Sequence, residues 1–184
     1  MPRKPDATLE GRILNAARKL WIKGGDDALS MRAVARAAKS NTPAIYRRFR
    51  NRKQILRALL LSAQDDLYKV VQHCNSAEEI ARAVFEFALS RPQEYQLVTA
   101  GLFARLNEPQ PNFEFARKQL AQWFGGTPKD QTRLTVALFA VVHGTAMLLI
   151  SKTVPTDAEV DLREVLPITL ELLVRNRAIY WPRA

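Results

Sequence analysis

The stretch SMRAVARAAKSNTPAIYRRFR, residues 30–50, constrains the fold most strongly, because a break interrupts its helical pattern of apolar residues. Met31, Val34 and Ala38 recur at three- and four-residue spacing, which places them on one face of a helix. The pattern stops for two residues and resumes with a second apolar spacing. The sequence therefore predicts two short helices joined by a tight turn.

The second of these helices has an outer face of unusual chemistry. Asn41 is a good N-cap residue, since its side-chain oxygen can accept a hydrogen bond from a free amide of the next turn. Ile45 and Phe49 lie four residues apart and are predicted to face inward. The opposite face then carries Thr42, Pro43, Tyr46 and Arg47. A methyl, a ring, a phenol and a guanidinium suit a DNA major groove, so the pattern predicts a helix-turn-helix that reads DNA.

Positive charge is concentrated around this motif. Residues 1–60 contain 15 Lys and Arg against 4 Asp and Glu, a net charge of +11, whereas the rest of the chain holds 13 basic and 14 acidic residues. A basic N-terminal third that carries a helix-turn-helix is typical of a DNA-binding head. A basic surface kept for solubility, or one that meets anionic lipid, is the alternative that charge alone leaves open.

Nine residues are predicted to contact DNA. Asn51 can cap the fourth helix, and the first turn of that helix combines free backbone amides with two cations, an arrangement that binds phosphate. The predicted set is Ser30, Arg32, Asn41, Thr42, Pro43, Tyr46, Arg47, Arg52 and Lys53. Within it, Thr42 and Pro43 are assigned to base edges. Tyr46 and Lys53 are assigned to phosphates.

The remainder of the chain has a helical pattern throughout, so the predicted fold class is all-α with about nine helices. Ser30 and Ser76 are predicted helix caps, and Thr127-Pro128 is predicted to begin the eighth helix. The uncharged run 134–150 spans 17 residues, near the lower limit for crossing a membrane. His143 and Gly144 interrupt it, so a helix buried on every side is the preferred interpretation and no membrane is predicted.

A family resemblance extends beyond the motif. The residues that carry it are Ile13-Leu14-x-Ala16-Ala17-x-x-Leu20-Trp21-x-x-Gly24, Leu29-Ser30, Val34-Ala35, Ala38, Ile45-Tyr46-Arg47-Arg48-Phe49 and Lys53-x-Ile55-Leu56. This run of about 50 residues resembles the N-terminal domain of TetR-type (tetracycline-repressor-like) transcriptional regulators. The chain departs from the family at Lys39, where Gly is usual. Lys39 must therefore accept a positive φ or reshape the turn, at a cost of roughly 1 kcal/mol.

The resemblance implies two domains, a DNA-binding helix-turn-helix head at 1–52 and an effector-binding and dimerisation domain at 53–184. It implies a homodimer, formed when the last two helices pair with those of a second subunit. The N-terminal sequence MPRKPDATLEG is polar and shows no signal, so a cytoplasmic location is expected. Helices 4 to 8 would enclose the effector pocket. The implied function is a repressor that a small molecule releases from a pseudo-palindromic double-stranded DNA operator. No cofactor, metal or catalytic residue is implied.

The C-terminal half is rich in aromatic residues, which are candidates for either core or pocket. The predicted pocket residues are Phe85, Tyr95, Val98, Phe103, Phe113, Trp123, Phe139, His143 and Met147. Aromatic residues at helical spacing more often form core, and His143 on an apolar helix is more often a hydrogen-bonded core residue than a ligand contact. The middle of helix 8 holds no acidic residue, so an uncharged or weakly polar, partly aromatic effector is expected.

Two other functions are weighed against regulation by a ligand. An enzyme is disfavoured, because the two His and the single Cys74 have no nucleophile–base spacing and no glycine-rich phosphate loop occurs. A DNA-binding dimer with a filled core that senses nothing is the second alternative. A cavity of several hundred Å3 would favour a sensor over a filled core.

Overall fold

The computed structural model describes residues 7–99 and 110–181. Within these ranges the chain is helical and contains no strand, so the predicted all-α fold class is confirmed. The helices are α1 (Ala7–Gly24), α2 (Met31–Ala37), α3 (Thr42–Tyr46), α4 (Arg52–Val71), α5 (Ala77–Ser90), α6 (Pro92–Thr99), α7 (Pro111–Phe124), α8 (Thr132–Ser151), α9 (Thr156–Arg175) and a 3-10 helix (Arg177–Tyr180). The sixth helix was expected to extend through Leu106, which lies outside the described residues.

Four helices begin at the side-chain caps that the sequence predicts. The Ser30 hydroxyl accepts from the amide of Ala33 at 3.1 Å, and Asn41 Oδ1 accepts from the amide of Ala44 at 2.9 Å. Asn51 and Ser76 cap α4 and α5 in the same way, at 3.0 and 3.1 Å. Each bond satisfies one of the free amides that a helix N-terminus exposes.

The turn between α2 and α3 keeps its shape although it has no glycine. Lys39 takes the left-handed conformation, with φ of 50°. The amide of Ser40 then donates to the Ala35 carbonyl at 2.9 Å, which closes the C-terminus of α2. The first of the two outcomes expected for Lys39 is therefore the one observed.

The eighth helix starts later than predicted, at Thr132 rather than at Thr127-Pro128. Asp130 accepts from both the amide and the hydroxyl of Thr127, at 2.8 and 2.7 Å, so residues 127–130 close on themselves as a turn. A side chain that satisfies local amides in this way competes with helix formation. The prediction was wrong because Asp130 was not recognised as a partner of Thr127.

Two apolar clusters form the core, and α4 belongs to both. Ile55 and Leu59 of α4 lie in the head cluster with residues of α1, α2 and α3, whereas Leu67 and Val71 lie in the body cluster with α5, α8 and α9. Leu97 of α6 also packs in the head cluster. Helix α4 is thus a continuous connection between the head and the body.

Helix α8 has the length and mean hydropathy, 2.0 over its most apolar window, that a membrane span requires. Core helices of soluble proteins meet the same criteria. In the structure α8 packs against α5, α7 and α9, and Leu138, Val142 and Ala146 are buried there. The expectation of a helix buried on every side is therefore wrong for the single chain, because Val136, Phe139 and Leu148 are exposed and leave one side of α8 open.

Candidate nucleic-acid interface and internal cavity

Helix α3 is held by its apolar side and presents its polar side to solvent. Ala44 and Ile45 are buried, and Phe49, just after the helix, is 7% exposed. Pro43 and Arg47 are exposed, and half of the Tyr46 side chain is accessible. The predicted inward and outward faces of this helix are those observed.

The nine predicted DNA contacts lie at the N-terminal ends of α2, α3 and α4 or along the outer side of α3. Thr42 and Arg52 are half-buried. The exposed members are Ser30, Arg32, Asn41, Pro43, Tyr46, Arg47 and Lys53. A surface that combines free helix N-termini, basic side chains and groups able to touch base edges has the chemistry of a duplex-binding face. Contact with DNA by each residue stays a prediction.

Arg52 has partners that the sequence did not suggest. Its Nε donates to the Leu29 carbonyl at 2.6 Å, and its Nη2 donates to the Asp26 carbonyl at 2.8 Å. It also forms an ion pair with the Asp26 carboxylate. These bonds fix the loop between α1 and α2 onto the start of α4. A phosphate would have to compete with them, whereas the neighbouring Lys53 is exposed.

A partly buried ionic network joins the head to the body. Arg18 of α1 donates to Ser62 at 2.7 Å and to Asp66 at 3.1 Å, both on α4, and forms an ion pair with Glu94 of α6 at 3.2 Å. Arg91 reaches the same two carboxylates, at 3.4 and 3.7 Å. Because Glu94 is only 7% exposed, its charge is compensated by these arginines rather than by water.

The body contains a cavity of about 280 Å3 lined by residues of α4, α5, α6, α7 and α8 and by Gln110. Its walls are mostly apolar, with Leu67 and Val71 of α4 and Leu138 and Val142 of α8 among them. Five polar side chains also line it, Gln64, Thr99, Gln110, Asn112 and Thr135. No charged side chain lines it among the described residues. A concave apolar site with a few polar groups is what small-molecule sites have in common.

Four of the nine predicted pocket residues line the cavity in the part of the chain that the structure describes. Tyr95, Val98, Phe113 and Phe139 line the cavity. Phe85 is 5% exposed and lies in the body core, and Trp123 packs against that core. In the part of the chain that the structure describes, His143 and Met147 do not line the cavity. Phe103 lies outside the described residues.

His143 contacts two aromatic residues of the cavity wall, Tyr95 and Phe139. The Tyr95 hydroxyl is 3.0 Å from His143 Nδ1, and the His143 ring stacks on Phe139 with centroids 5.4 Å apart. Burial raises the pKa of Tyr95 above its ordinary value, so the phenol keeps its proton. The protonated phenol can donate to Nδ1 of a neutral imidazole. The pair fixes the positions of two aromatic wall residues.

The sequence did not identify the polar wall residues, of which Gln64 is the most buried at 3% exposed. Asn112 Nδ2 donates to the main-chain carbonyl of Gln64 at 3.0 Å, which joins α7 to α4. The sequence feature that could have identified Gln64 is a polar residue within an apolar stripe of a helix. Leu60, Gln64, Leu67 and Val71 follow helical spacing on α4, and a glutamine at a core position needs a partner.

Family comparisons agree with this architecture. The family described as bacterial regulatory proteins, tetR family, matches residues 13–59, and the one described as tetracyclin repressor-like, C-terminal domain, matches residues 77–171. The second match alone covers more than half of the chain. The chain belongs to the tetR family of bacterial regulatory proteins. The first match spans the helix-turn-helix, and the second spans four of the five helices that line the cavity.

Individual relatives share only a low sequence identity with this chain. The HTH-type transcriptional regulator Rv1816 of Mycobacterium tuberculosis (strain ATCC 25618 / H37Rv) is 29% identical over 100 residues, which cover 49% of this chain and 43% of that protein. The match thus spans less than half the length of that curated relative.

Solved structures match the fold over nearly the whole chain. A protein of unknown function from Rhodococcus sp. RHA1 has a TM-score of 0.73 at 22% identity and covers 96% of this chain and 98% of its own. A TetR variant from Acinetobacter baumannii AYE, solved in complex with minocycline, has a TM-score of 0.68 at 20% identity. The match covers 98% of this chain and 100% of the chain of that variant. At this identity the likeness shows the shared fold.

Proposed function

We propose that this regulator is a homodimeric repressor that binds a pseudo-palindromic operator and is released by a small molecule in its internal cavity. The observation that carries the proposal is the dual role of α4. Ile55 and Leu59 of this helix pack in the head, and Gln64 and Leu67 of the same helix line the cavity. A molecule that displaces α4 at the cavity would therefore displace the reading head.

The DNA-binding part of the proposal rests on the exposed side of α3. Thr42 and Pro43 begin the helix and are proposed to meet base edges, whereas Tyr46 and Lys53 meet phosphates. Arg47 can serve either purpose. A two-fold symmetric dimer presents two such helices, so its operator would have mirrored half-sites about one DNA turn, or a small multiple of it, apart.

The proposed dimer forms through α8 and α9, which present an apolar surface to solvent in the single chain. On α8, Val136 and Leu148 are 49% and 39% exposed. On α9, Val165, Ile168 and Leu172 are each more than half exposed. A soluble monomer rarely leaves so continuous an apolar surface open, and the matching helices of a second copy would cover it.

Helix α4 would transmit a ligand-induced displacement from the cavity to the head, and the head would then release the DNA. Gln64 lines the cavity, and two residues later Asp66 binds Arg18 of the head. A ligand that binds better to one orientation of α4 shifts the population toward it, and the affinity for DNA changes by the same coupling free energy. The complex of the Acinetobacter TetR variant with minocycline supports a ligand site in this fold. A filled core is disfavoured, because the cavity measures about 280 Å3.

This function assigns the protein to the cytoplasm, with no catalytic residue, cofactor or metal. The described residues contain no group of three His, Cys, Asp or Glu placed to hold a metal ion.

The test begins with selection of tight-binding duplexes from a random library by the full-length protein. Binding to the selected duplex and to a scrambled one is then measured by fluorescence anisotropy. We expect a two-fold symmetric consensus, and Lys53→Ala should weaken binding to both duplexes. Lys118→Ala is the matched control, because it removes the same charge from an exposed position on α7. Failure to enrich any duplex would overturn the proposed function.

A further inference from the structure

Two residues of the cavity wall each carry a buried amide oxygen that has no hydrogen-bond partner among the described residues. Gln64 Oε1 and Asn112 Oδ1 are both buried and unpartnered, and both residues line the cavity. Gln64 lies on α4 and Asn112 in the first turn of α7. Their proximity is set by the bond from Asn112 Nδ2 to the Gln64 main-chain carbonyl.

The orientation of the Asn112 amide follows from that bond. Only the nitrogen of a side-chain amide can donate to a carbonyl, so the Asn112 oxygen must point elsewhere. An unpaired buried acceptor is unfavourable, and native proteins rarely retain one without a water, an ion or a ligand to satisfy it. Two such acceptors at one junction favour a shared occupant that donates hydrogen bonds.

The walls restrict the rest of that occupant. No Asp, Glu, Lys or Arg lines the cavity among the described residues, and a buried charge without a partner is strongly unfavourable. Phe113, Phe139 and Tyr95 supply aromatic wall. The volume of about 280 Å3 is close to twice that of a cavity known to bind benzene, roughly 150 Å3, so two fused rings fit its scale.

We propose that the effector is a neutral, largely aromatic molecule whose hydroxyl or N–H group donates to Gln64 Oε1 and Asn112 Oδ1. The inference rests on the proposed function, which gives the cavity its role, and adds the chemical class of the ligand and the residues that select it. A donor held by both amides connects α4 to α7. It would thereby fix the part of α4 that precedes the Arg18–Asp66 contact.

Four naphthalene derivatives test this inference by calorimetric titration of the full-length protein at neutral pH. The probes are 2-naphthol, 2-methoxynaphthalene, naphthalene and 2-naphthylmethylammonium. 2-Methoxynaphthalene keeps the oxygen atom but has no hydrogen-bond donor. It is larger than 2-naphthol and naphthalene is smaller, so a preference for 2-naphthol over both compounds does not follow from size. We expect 2-naphthol to bind about tenfold more tightly than either neutral analogue, as one net hydrogen bond in a buried site allows.

The variant Gln64→Met removes one acceptor and keeps the length of the side chain. It should reduce the preference for 2-naphthol at least about threefold, without lowering the melting temperature, since an unpaired buried polar group is replaced by an apolar one. Leu67→Met on the same helix is the matched control and should keep the preference. The melting temperatures show that both variants are folded.

Four results would overturn the inference. Equal binding of the three neutral probes to the wild type, or an unchanged preference in Gln64→Met, would show that the amides do not select donors, and the proposed function would survive. Tighter binding of the ammonium probe would contradict a neutral effector. If none of the four probes binds, the cavity is not an effector site, and the ligand-responsive part of the proposed function falls with the inference.

Discussion

Asp66 of α4 accepts a hydrogen bond from the Arg18 guanidinium of α1 at 3.1 Å, two residues beyond Gln64 in the cavity wall. Glu94 of α6 binds the other side of the same guanidinium. The orientation of the head therefore depends on carboxylates that belong to the helices around the cavity. Any movement of α4 or α6 that a ligand causes changes the positions of these carboxylates relative to α1.

Asp66→Asn should lower operator affinity about threefold or more, although Asp66 lies outside the predicted DNA-binding set. When fewer bonds hold the head, it has more orientational freedom in the free protein. The loss of this freedom when the dimer docks on two half-sites lowers the affinity for the operator. Removal of a negative charge would by itself strengthen DNA binding, so the expected direction separates orientation from electrostatics. Lys69→Gln is a control on the same helix, since Lys69 contacts Asp66 but not the head. Unchanged or tighter binding by Asp66→Asn, measured by anisotropy, would exclude this contact as the link.

Residue roles on α3 should separate in an operator scan. Thr42→Ala should reduce discrimination at one base position of each half-site by about 1 kcal/mol, with little loss on random DNA, because base contacts carry the specificity. Tyr46→Phe and Lys53→Ala should weaken all duplexes about equally. The measurement compares the affinity of each variant for every single-base substitution of the operator. A profile that changes in Lys53→Ala but not in Thr42→Ala would contradict the proposed docking of this helix.

Operator affinity should fall steeply with salt. The net charge of +11 on residues 1–60 suits about 6–10 phosphate contacts per dimer, each of which releases condensed counterions. Between low and physiological salt the affinity would then fall by about a thousandfold or more. Titrations of operator and random duplex at several salt concentrations measure the slope. A flat dependence for both duplexes is incompatible with phosphate binding by this head.

Local features of the fold could be predicted from the sequence because they depend on residues a few positions apart. The four helix caps are of this kind, since a cap and its amide partner are separated by three residues. For Lys39 the sequence left two outcomes open, a positive φ or a reshaped turn, and the structure has a φ of 50°. The start of α8 was missed because a local bond competed with the helix. Asp130 closes a turn on Thr127 where a capped helix was expected.

The site could be predicted only in part, because its polar groups come together through packing. Asn112 and Gln64 are 48 positions apart, and nothing in either local pattern shows that α7 begins beside α4. Arg52 illustrates the same limit, since its partners Asp26 and Leu29 lie in a loop more than 20 residues earlier. Aromatic residues were easy to nominate, but which of them face the cavity depends on helix rotation.

Tyr95 should make the protein sensitive to alkaline pH. Burial raises the pKa of its phenol in the folded state above the ordinary value of 10. Stability from this group is therefore complete below about pH 10 and is lost as the pH rises further, since the unfolded chain then releases its proton more readily. Tyr95→Phe should show a smaller alkaline loss, and at pH 7 should be less stable by about 1 kcal/mol, because a hydrogen bond is missing.

Urea unfolding at pH 7 and above pH 10 measures both effects of Tyr95→Phe. Tyr46→Phe changes an exposed phenol in the same chain and serves as the control. Equal alkaline losses in the wild type and Tyr95→Phe would show that the buried phenol contributes nothing to the pH dependence.

Gly144→Arg should convert the dimer into a monomer or an aggregate. Gly144 is exposed on α8, and a Cβ placed there meets nothing within 4 Å in the single chain, so a side chain at this position begins in open space. In the proposed dimer, however, an arginine at position 144 on the exposed side of α8 would bury a charge between two apolar surfaces, which is strongly unfavourable. Gly11→Arg is the matched control, because Gly11 is equally open and its helix α1 packs on α2, α4 and α6. Sedimentation velocity measures the oligomeric state, and circular dichroism checks that the variants are helical. If Gly144→Arg sediments as a folded dimer, the subunits pair through another surface and α8 does not form the interface.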